Sequence, residues 1–216
     1  PMLEYIKRGI ERADRVNAEV LVIQLNTPGG SLETMLEIMA EIRTSKVPVV
    51  VYVAPRNAIA ASAGAMITMS GHISAMAPET TIGASSPINS SGENLNTTAE
   101  TKAKELIKAA IRPYVTPRGQ DAVTLAEAMI DDAVAVTASE ALEAKLIDFI
   151  ADDTEDLLQL LDGFTVQMDS GEQTLNTEDI NVQSVNISFI EQTSAHTYRP
   201  KHFFPFTCNW CASHLD

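Results

Sequence analysis

The chain has 216 residues, of which 45% are hydrophobic and 20% charged, a balance that can bury a core and excludes an intrinsically disordered chain. Its 15 Lys and Arg stand against 29 Asp and Glu, a formal charge of −14; with no basic stripe, this argues against a nucleic-acid partner or a polybasic membrane-surface site. One domain is expected at this length, here residues 1–192, with 193–216 set apart as an atypical tail outside the fold.

The opening residues show no signal-peptide pattern and read as the interior of a longer product. Leu3, Ile6, Ile10 and Ala13 recur three and four apart, which predicts an amphipathic helix over 2–17. Val20 to Leu25 is a short apolar run rich in β-branched residues, as in a buried parallel strand. It ends in Asn26-Thr27-Pro28-Gly29-Gly30-Ser31, a loop that leads into a helix with Leu32, Met35, Leu36, Met39 and Ile42 inward. Val47 to Val53 is a second buried strand, so the order strand–helix–strand predicts a parallel crossover.

Asn57 to Pro78 carries no Asp, Glu, Lys or Arg, yet its serines, glycines, Asn57, Thr68 and His72 make it too polar for a spanning helix. It is read as protein interior with a strand from His72 to Met76, and the fragment as soluble. Residues 89–98 are a polar loop. Ala103, Leu106, Ile107, Ala110, Ile111 and Tyr114 restore helical periodicity, and further helices are expected at 120–131 and from Thr137, where Glu140 completes a capping box. Residues 164–190 alternate like strands about a turn at Asp169-Ser170-Gly171. The tail holds three of the six Phe, the only Trp and three of the four His, without periodicity.

Gly29-Gly30, after a strand and before a helix, lets backbone N–H groups face a site. No Gly-Lys-Ser/Thr follows, so it is not a phosphate-binding loop; it is a tight turn or an oxyanion hole. Ala60-Ala61-Ser62-Ala63-Gly64 is either a small-residue helix packing on a neighbour or a cradle for a nucleophilic serine. Ser70, Ser74, Ser85 and Ser86 lack that cradle. The only histidine outside the tail, His72, belongs to a helix–strand junction, which leaves a Ser-His-Asp triad poorly supported. The remaining base is a lysine made neutral by burial. Lys102 and Lys104 both lie at the edge of the apolar stripe, and periodicity does not separate them. Cys208-x-x-Cys211-x-x-His214, with His202 upstream, is weak as a metal-ligand spacing. No metal and no cofactor are assigned.

Several ordered motifs fall into one pattern: Leu25-Asn26-Thr27-Pro28-Gly29-Gly30, Pro48 to Pro55, Ala61-Ser62-Ala63-Gly64, Ala75-Met76-Ala77-Pro78, Thr81-Ile82-Gly83-Ala84 and Pro87. Over roughly residues 3–190 the chain resembles the N-terminal protease domain of the NfeD family, membrane-bound serine proteases of the ClpP class. The resemblance implies an α/β, ClpP/crotonase-like fold with stacked parallel β-strands and flanking helices. It puts Ser62 at the nucleophile's position. Lys102 matches the catalytic lysine through Ala109, Arg112 and Arg118-Gly119, a pattern Lys104 would miss. It implies oxyanion donors at Gly29, Gly30 and the Ala63 amide, and substrate contacts at Ile82, Gly83 and Ala84.

The implied activity is a cofactor-independent Ser-Lys endopeptidase acting on an apolar peptide, such as a segment of a stomatin-like membrane protein. A homodimer is implied, as is membrane association of the full-length protein with this domain extracytoplasmic. The chain departs from the family pattern at Asn57, at Glu105 and at Gln120-Asp121. Glu105, one turn from Lys102, can hold that ammonium protonated, which motivates a rival reading: a catalytically weak scaffold that binds a stomatin-type partner. Acyl-CoA chemistry on the related crotonase fold is disfavoured because it does not need Ser62 and Lys102 together.

Overall fold

The structure, a computed structural model, describes residues 2–88, 96–178, 180–185 and 207–212. Helix α1 (Met2–Arg15) buries Tyr5, Ile6, Gly9 and Ala13 and leads into strand β1 (Ala18–Leu25). Helix α2 (Leu32–Arg43), capped by the Ser31 hydroxyl, returns the chain to β2 (Val49–Val53). The two strands run parallel, with Leu21 opposite Val49 and Leu25 opposite Val53. A second crossover, through β3 (Ile59–Ala61) and α3 (Ala63–Ser70), brings β4 (Ile73–Met76) parallel to β2.

Then come β5 (Thr81–Gly83), α4 (Thr97–Val115), α5 (Gln120–Asp131), β6 (Ala135–Thr137) and α6 (Ala138–Glu143), the last opened by the expected Thr137–Glu140 capping box. The chain continues as β7 (Phe149–Ile150), α7 (Thr154–Leu161), β8 (Thr165–Met168), β9 (Gly171–Thr174), β10 (Asn181–Val185) and β11 (Thr207–Ala212).

The main sheet has the order β10-β11-β1-β2-β4-β7, and its β1, β2, β4 and β7 are mutually parallel. Alternation along β1 and β2 explains their unbroken apolar runs. Leu21, Ile23, Leu25, Val49, Val51 and Val53 meet the helical layer of Ile38, Ile42, Met66, Met69, Ile111 and Met129. Val20, Val22, Val50 and Tyr52 face the other way, onto Leu157, Leu161 and Val166. A strand covered on both faces needs side chains that are apolar on both. The Tyr52 hydroxyl donates to Ala151 O at 2.8 Å. Burial, reinforced by Asp153, Asp156 and Asp152, pushes its pKa up to about 12, so it remains a neutral donor.

Three features differ from the sequence reading. The small sheet β3-β5-β6 is built of three-residue strands, too short to show alternation. Helix α7 completes the second core layer with Leu157, Leu158 and Leu161; eight residues give a weak periodic signal. Thr207–Ala212, inside the tail expected to stand apart, forms β11 between β1 and β10. Strand pairing uses backbone N–H and C=O groups, so it leaves little imprint on side-chain pattern. His202 and His214 lie outside the described residues, as does 89–95 of the expected polar loop.

Candidate active site

Ser62 occupies the junction between β3 and α3 with φ 52° and ψ −119°. An L-residue adopts this backbone only when its surroundings impose it. They do: Ser62 N–H donates to Gly83 O at 2.9 Å, and Ser62 O accepts from Ala65 N–H at 3.0 Å. Serine at a helix N-cap normally spends its hydroxyl on the first turn, but Ser62 makes no such bond. A strand, a sharp turn whose hydroxyl has no hydrogen bond among the described residues, and a helix together make an elbow of the strand–turn–helix kind. The small neighbours are required. A Cβ on Gly64 would come within 2.6 Å of Thr27 Cγ2, and Ala60 is fully buried.

The Gly29-Gly30 turn lies directly against this elbow. A Cβ on Gly29 would sit 2.9 Å from Ser62 Cβ, and one on Gly30 would sit 3.9 Å from Ala63 Cβ. Gly29 also has φ +133°, which favours glycine on backbone grounds alone. Its N–H donates to Thr27 Oγ1 at 3.2 Å. The N–H groups of Gly30 and Ala63 have no acceptor among the described residues, and Ala63 opens α3, where the helix dipole adds positive potential. Two unspent amides therefore flank a free serine hydroxyl.

Of the three expected substrate contacts, Ile82 is buried in the helical-side core. Gly83 gives its carbonyl to Ser62, and a Cβ there would overlap Val134 O. Ala84 alone of the three is exposed, with its N–H on Val134 O at 2.7 Å.

The lysines separate clearly. Lys104 Nζ donates to Asp131 O at 2.8 Å and pairs with Glu100 at 2.7 Å. Lys108 pairs with Glu105 at 2.6 Å and with Asp131 at 3.1 Å. Its pKa is pushed above the ordinary lysine value, first by the hydrogen bond it donates to Glu105 and then by the one it donates to Asp131. Glu105 is thus engaged by Lys108. Lys102 is exposed on α4 and has no hydrogen bond or ion pair among the described residues, so no bond joins it to Ser62. Leu106, one turn on and on the same helix face, is 56% exposed.

His72 follows the C-terminal end of α3, whereas Ser62 precedes its N-terminal end. His72 Nδ1 accepts from Val49 N–H at 3.2 Å, and burial, aided by Arg43, lowers its pKa to about 4. It is a neutral structural acceptor. The other serines have their hydroxyls committed: Ser70 to Ile67 O, Ser74 to Thr68 O, Ser85 to Gly83 O and Ser86 to Ile130 O. Sequence reasoning missed Thr27, which holds Gly29 in place, and Asp131, which gathers two lysines. Thr27 stands within the Leu25–Gly30 motif but was given no role there, and Asp131 lies in no motif. Among the described residues no three His, Cys, Asp or Glu side chains converge as metal ligands, and no helix is long and apolar enough to cross a membrane.

Residues 1–185 match the family model described as NfeD1b, N-terminal domain. Over 196 residues the chain is 35% identical to the membrane-bound protease PH1510 of Pyrococcus horikoshii, a match covering 89% of this chain and 44% of that protein. The chain therefore spans less than half of that relative. Among solved structures it superposes on the 1510-N membrane-bound stomatin-specific protease. A lysine-to-alanine mutant of 1510-N in complex with a substrate peptide gives a TM-score of 0.81 at 32% identity over 90% of both chains. A serine-to-alanine mutant gives 0.79 at 33% identity, over 87% of this chain and 91% of that one. The ClpP catalytic domain of Plasmodium falciparum shares the fold at 19% identity, with a TM-score of 0.55 over 70% and 80% of the two chains. With a strand–turn–helix elbow at Ser62 set against a glycine turn on a ClpP-like α/β scaffold, the chain belongs to the family of NfeD1b N-terminal domains.

Proposed function

We propose that this chain is the protease domain of a membrane-associated serine endopeptidase that works through a Ser62–Lys102 dyad on apolar segments of a stomatin-type membrane protein. The observation that carries the reading is Ser62 itself: a strained residue at a helix start, its hydroxyl unspent, with the free amides of Gly30 and Ala63 beside it. Lys102 is assigned as the base because Lys104 and Lys108 are engaged in ion pairs with carboxylates and Lys102 has none among the described residues. The two 1510-N mutants alter one serine and one lysine, the same pair of residue types, which supports the assignment.

In the reaction, Ser62 Oγ bonds to the scissile carbonyl carbon as its proton passes to a neutral Lys102 Nζ. The Gly30 and Ala63 amides receive the oxyanion, while Gly29 supplies the space that lets the turn approach. The C–N bond then breaks, the Lys102 ammonium protonates the leaving amine, and a water activated by Lys102 releases the acyl group. No cofactor enters any step. Ala84 is the substrate contact retained from the loop after β5.

Lys102 lies open in this structure, so its neutral form depends on cover supplied by substrate and by a second copy of the chain. Leu106 at 56% and Ile88 at 59% exposure provide apolar surface for that cover. Membrane association of the longer protein, with this domain extracytoplasmic, belongs to the same proposal. Cleavage of an apolar peptide by the wild type, and its loss in both Ser62→Ala and Lys102→Ala, tests the reading; undiminished cleavage by either variant removes that residue from it. The scaffold alternative drew on Glu105 as a quencher of Lys102, and Glu105 instead pairs with Lys108.

A further inference from the structure

The stretch of α4 that carries Lys102 buries little. Between Thr97 and Leu106 no residue is fully buried, and the helix's buried side chains are Ile107, Ile111 and Val115. Apolar packing therefore fixes only the later turns. Ammonium groups add ties on either side of Ile107: Lys104 Nζ, in the unpacked stretch, bonds Asp131 O at 2.8 Å, and Lys108 Nζ bonds the Asp131 carboxylate at 3.1 Å. Asp131 ends α5, where unpaired carbonyls and the negative end of the helix dipole favour cations.

The same turn holds the nucleophile's neighbourhood. Ser85 N–H donates to Met129 O at 2.8 Å, and Ser86 Oγ donates to Ile130 O at 2.8 Å. Gly83, two residues before Ser85, accepts the Ser62 N–H at 2.9 Å. Three consecutive carbonyls, those of Met129, Ile130 and Asp131, thus fasten the Ser62 loop on one side and the Lys102 helix on the other.

We infer that Lys104 and Lys108 are positioning residues: they seat Lys102 relative to Ser62 by docking α4 on the turn that also anchors the nucleophile's loop. The inference rests on the Ser62–Lys102 reading above. Docking fixes the Lys102 backbone, while the Lys102 side chain is exposed and makes no bond among the described residues. It also gives Glu105 a task, since Glu105 completes the Lys108 pair.

The test is steady-state cleavage of an apolar fluorogenic peptide by Lys104→Met, Lys108→Met, their combination and Lys108→Arg, with Ser62→Ala alongside. Methionine keeps helix propensity and an unbranched stem while removing the charge. Each single variant is expected to lose about 10-fold in kcat with KM within about twofold, the combination about 100-fold. Lys108→Arg restores kcat to within about threefold, because arginine keeps both carboxylate contacts. Thermal melts check that folding is intact; if the combination does not fold, the single variants decide.

An inactive Ser62→Ala beside Lys104→Met and Lys108→Met of wild-type kcat overturns the inference alone. Loss of activity in proportion to loss of folded protein, or Lys108→Arg no better than Lys108→Met, does the same. An active Ser62→Ala overturns the dyad reading and this inference with it.

Discussion

A single methyl group on Gly29 would reach the Ser62 side chain: the ideal Cβ falls 2.9 Å from Ser62 Cβ and 3.4 Å from Oγ. The absence of a side chain at Gly29 is therefore a condition for the elbow and the glycine turn to coexist. Gly29→Ala also faces φ +133°, a backbone that L side chains rarely adopt. The expected result is a loss of about 1–3 kcal/mol in urea unfolding and a fall of about 100-fold or more in kcat/KM, because the Gly30 amide is displaced with the turn. Unchanged turnover would show that the turn and the serine act independently.

Gly83→Ala tests how closely β5 packs on the residues leading into β6. The new Cβ would overlap the Val134 carbonyl and lie 2.8 Å from Ala135 Cα, all backbone and unable to rotate away. Chemical denaturation is expected to register a cost of about 3 kcal/mol or more. A cost near zero would mean that β5 and β6 slide apart without penalty.

Lys102→Ala and Lys104→Met fail for different reasons and respond differently to a small exogenous amine. On the proposed dyad, truncating Lys102 removes the base, and an amine such as ethylamine is expected to restore part of a loss of about 1,000-fold or more. Lys104→Met keeps Lys102, so added amine leaves its smaller deficit unchanged. Equal rescue of both variants would contradict the assignment.

His72 makes stability depend on pH. Its pKa in the folded chain is lowered to about 4, by burial and then by Arg43, from an ordinary 6.5. Below 6.5 the unfolded chain takes up a proton that the folded chain refuses, so stability falls from pH 6.5 down to about 4. His72→Asn offers Oδ1 to the Val49 N–H now bonded to Nδ1 but does not titrate. Melting temperatures of the wild type should therefore fall more steeply over that window than those of the variant. Parallel curves would place the titration elsewhere.

The sheet was legible because β1 and β2 are buried on both faces and so announce themselves as apolar runs. Long helices with a packed stripe, α2 and α5 among them, were legible for the same reason. What stayed hidden lacks periodicity or works through the backbone: the three-residue strands of the small sheet, and β11, which joins β1 within a segment of irregular pattern. At the site, the residues by themselves left Gly29-Gly30 as a turn or an oxyanion hole and Ser62 as a small-residue helix start or a nucleophile's cradle; the resemblance to the NfeD family is what drew Gly29, Gly30, Ser62 and Ala63 into one expectation. Helical periodicity did not separate Lys102 from Lys104, because what distinguishes Lys104 is a partner on α5, far along the chain. Asp131 was invisible for the same reason, and half of its role belongs to a carbonyl that any residue carries.

Covalent labelling with a serine-directed fluorophosphonate, located by peptide mass spectrometry and timed by loss of free enzyme, probes the proton transfer most directly. The wild type should give one adduct, on Ser62, and Lys102→Ala should label about 100-fold more slowly or not at all. An adduct elsewhere, none on Ser62 with an apolar peptide or stomatin partner present, or equal labelling rates in the two proteins would contradict it.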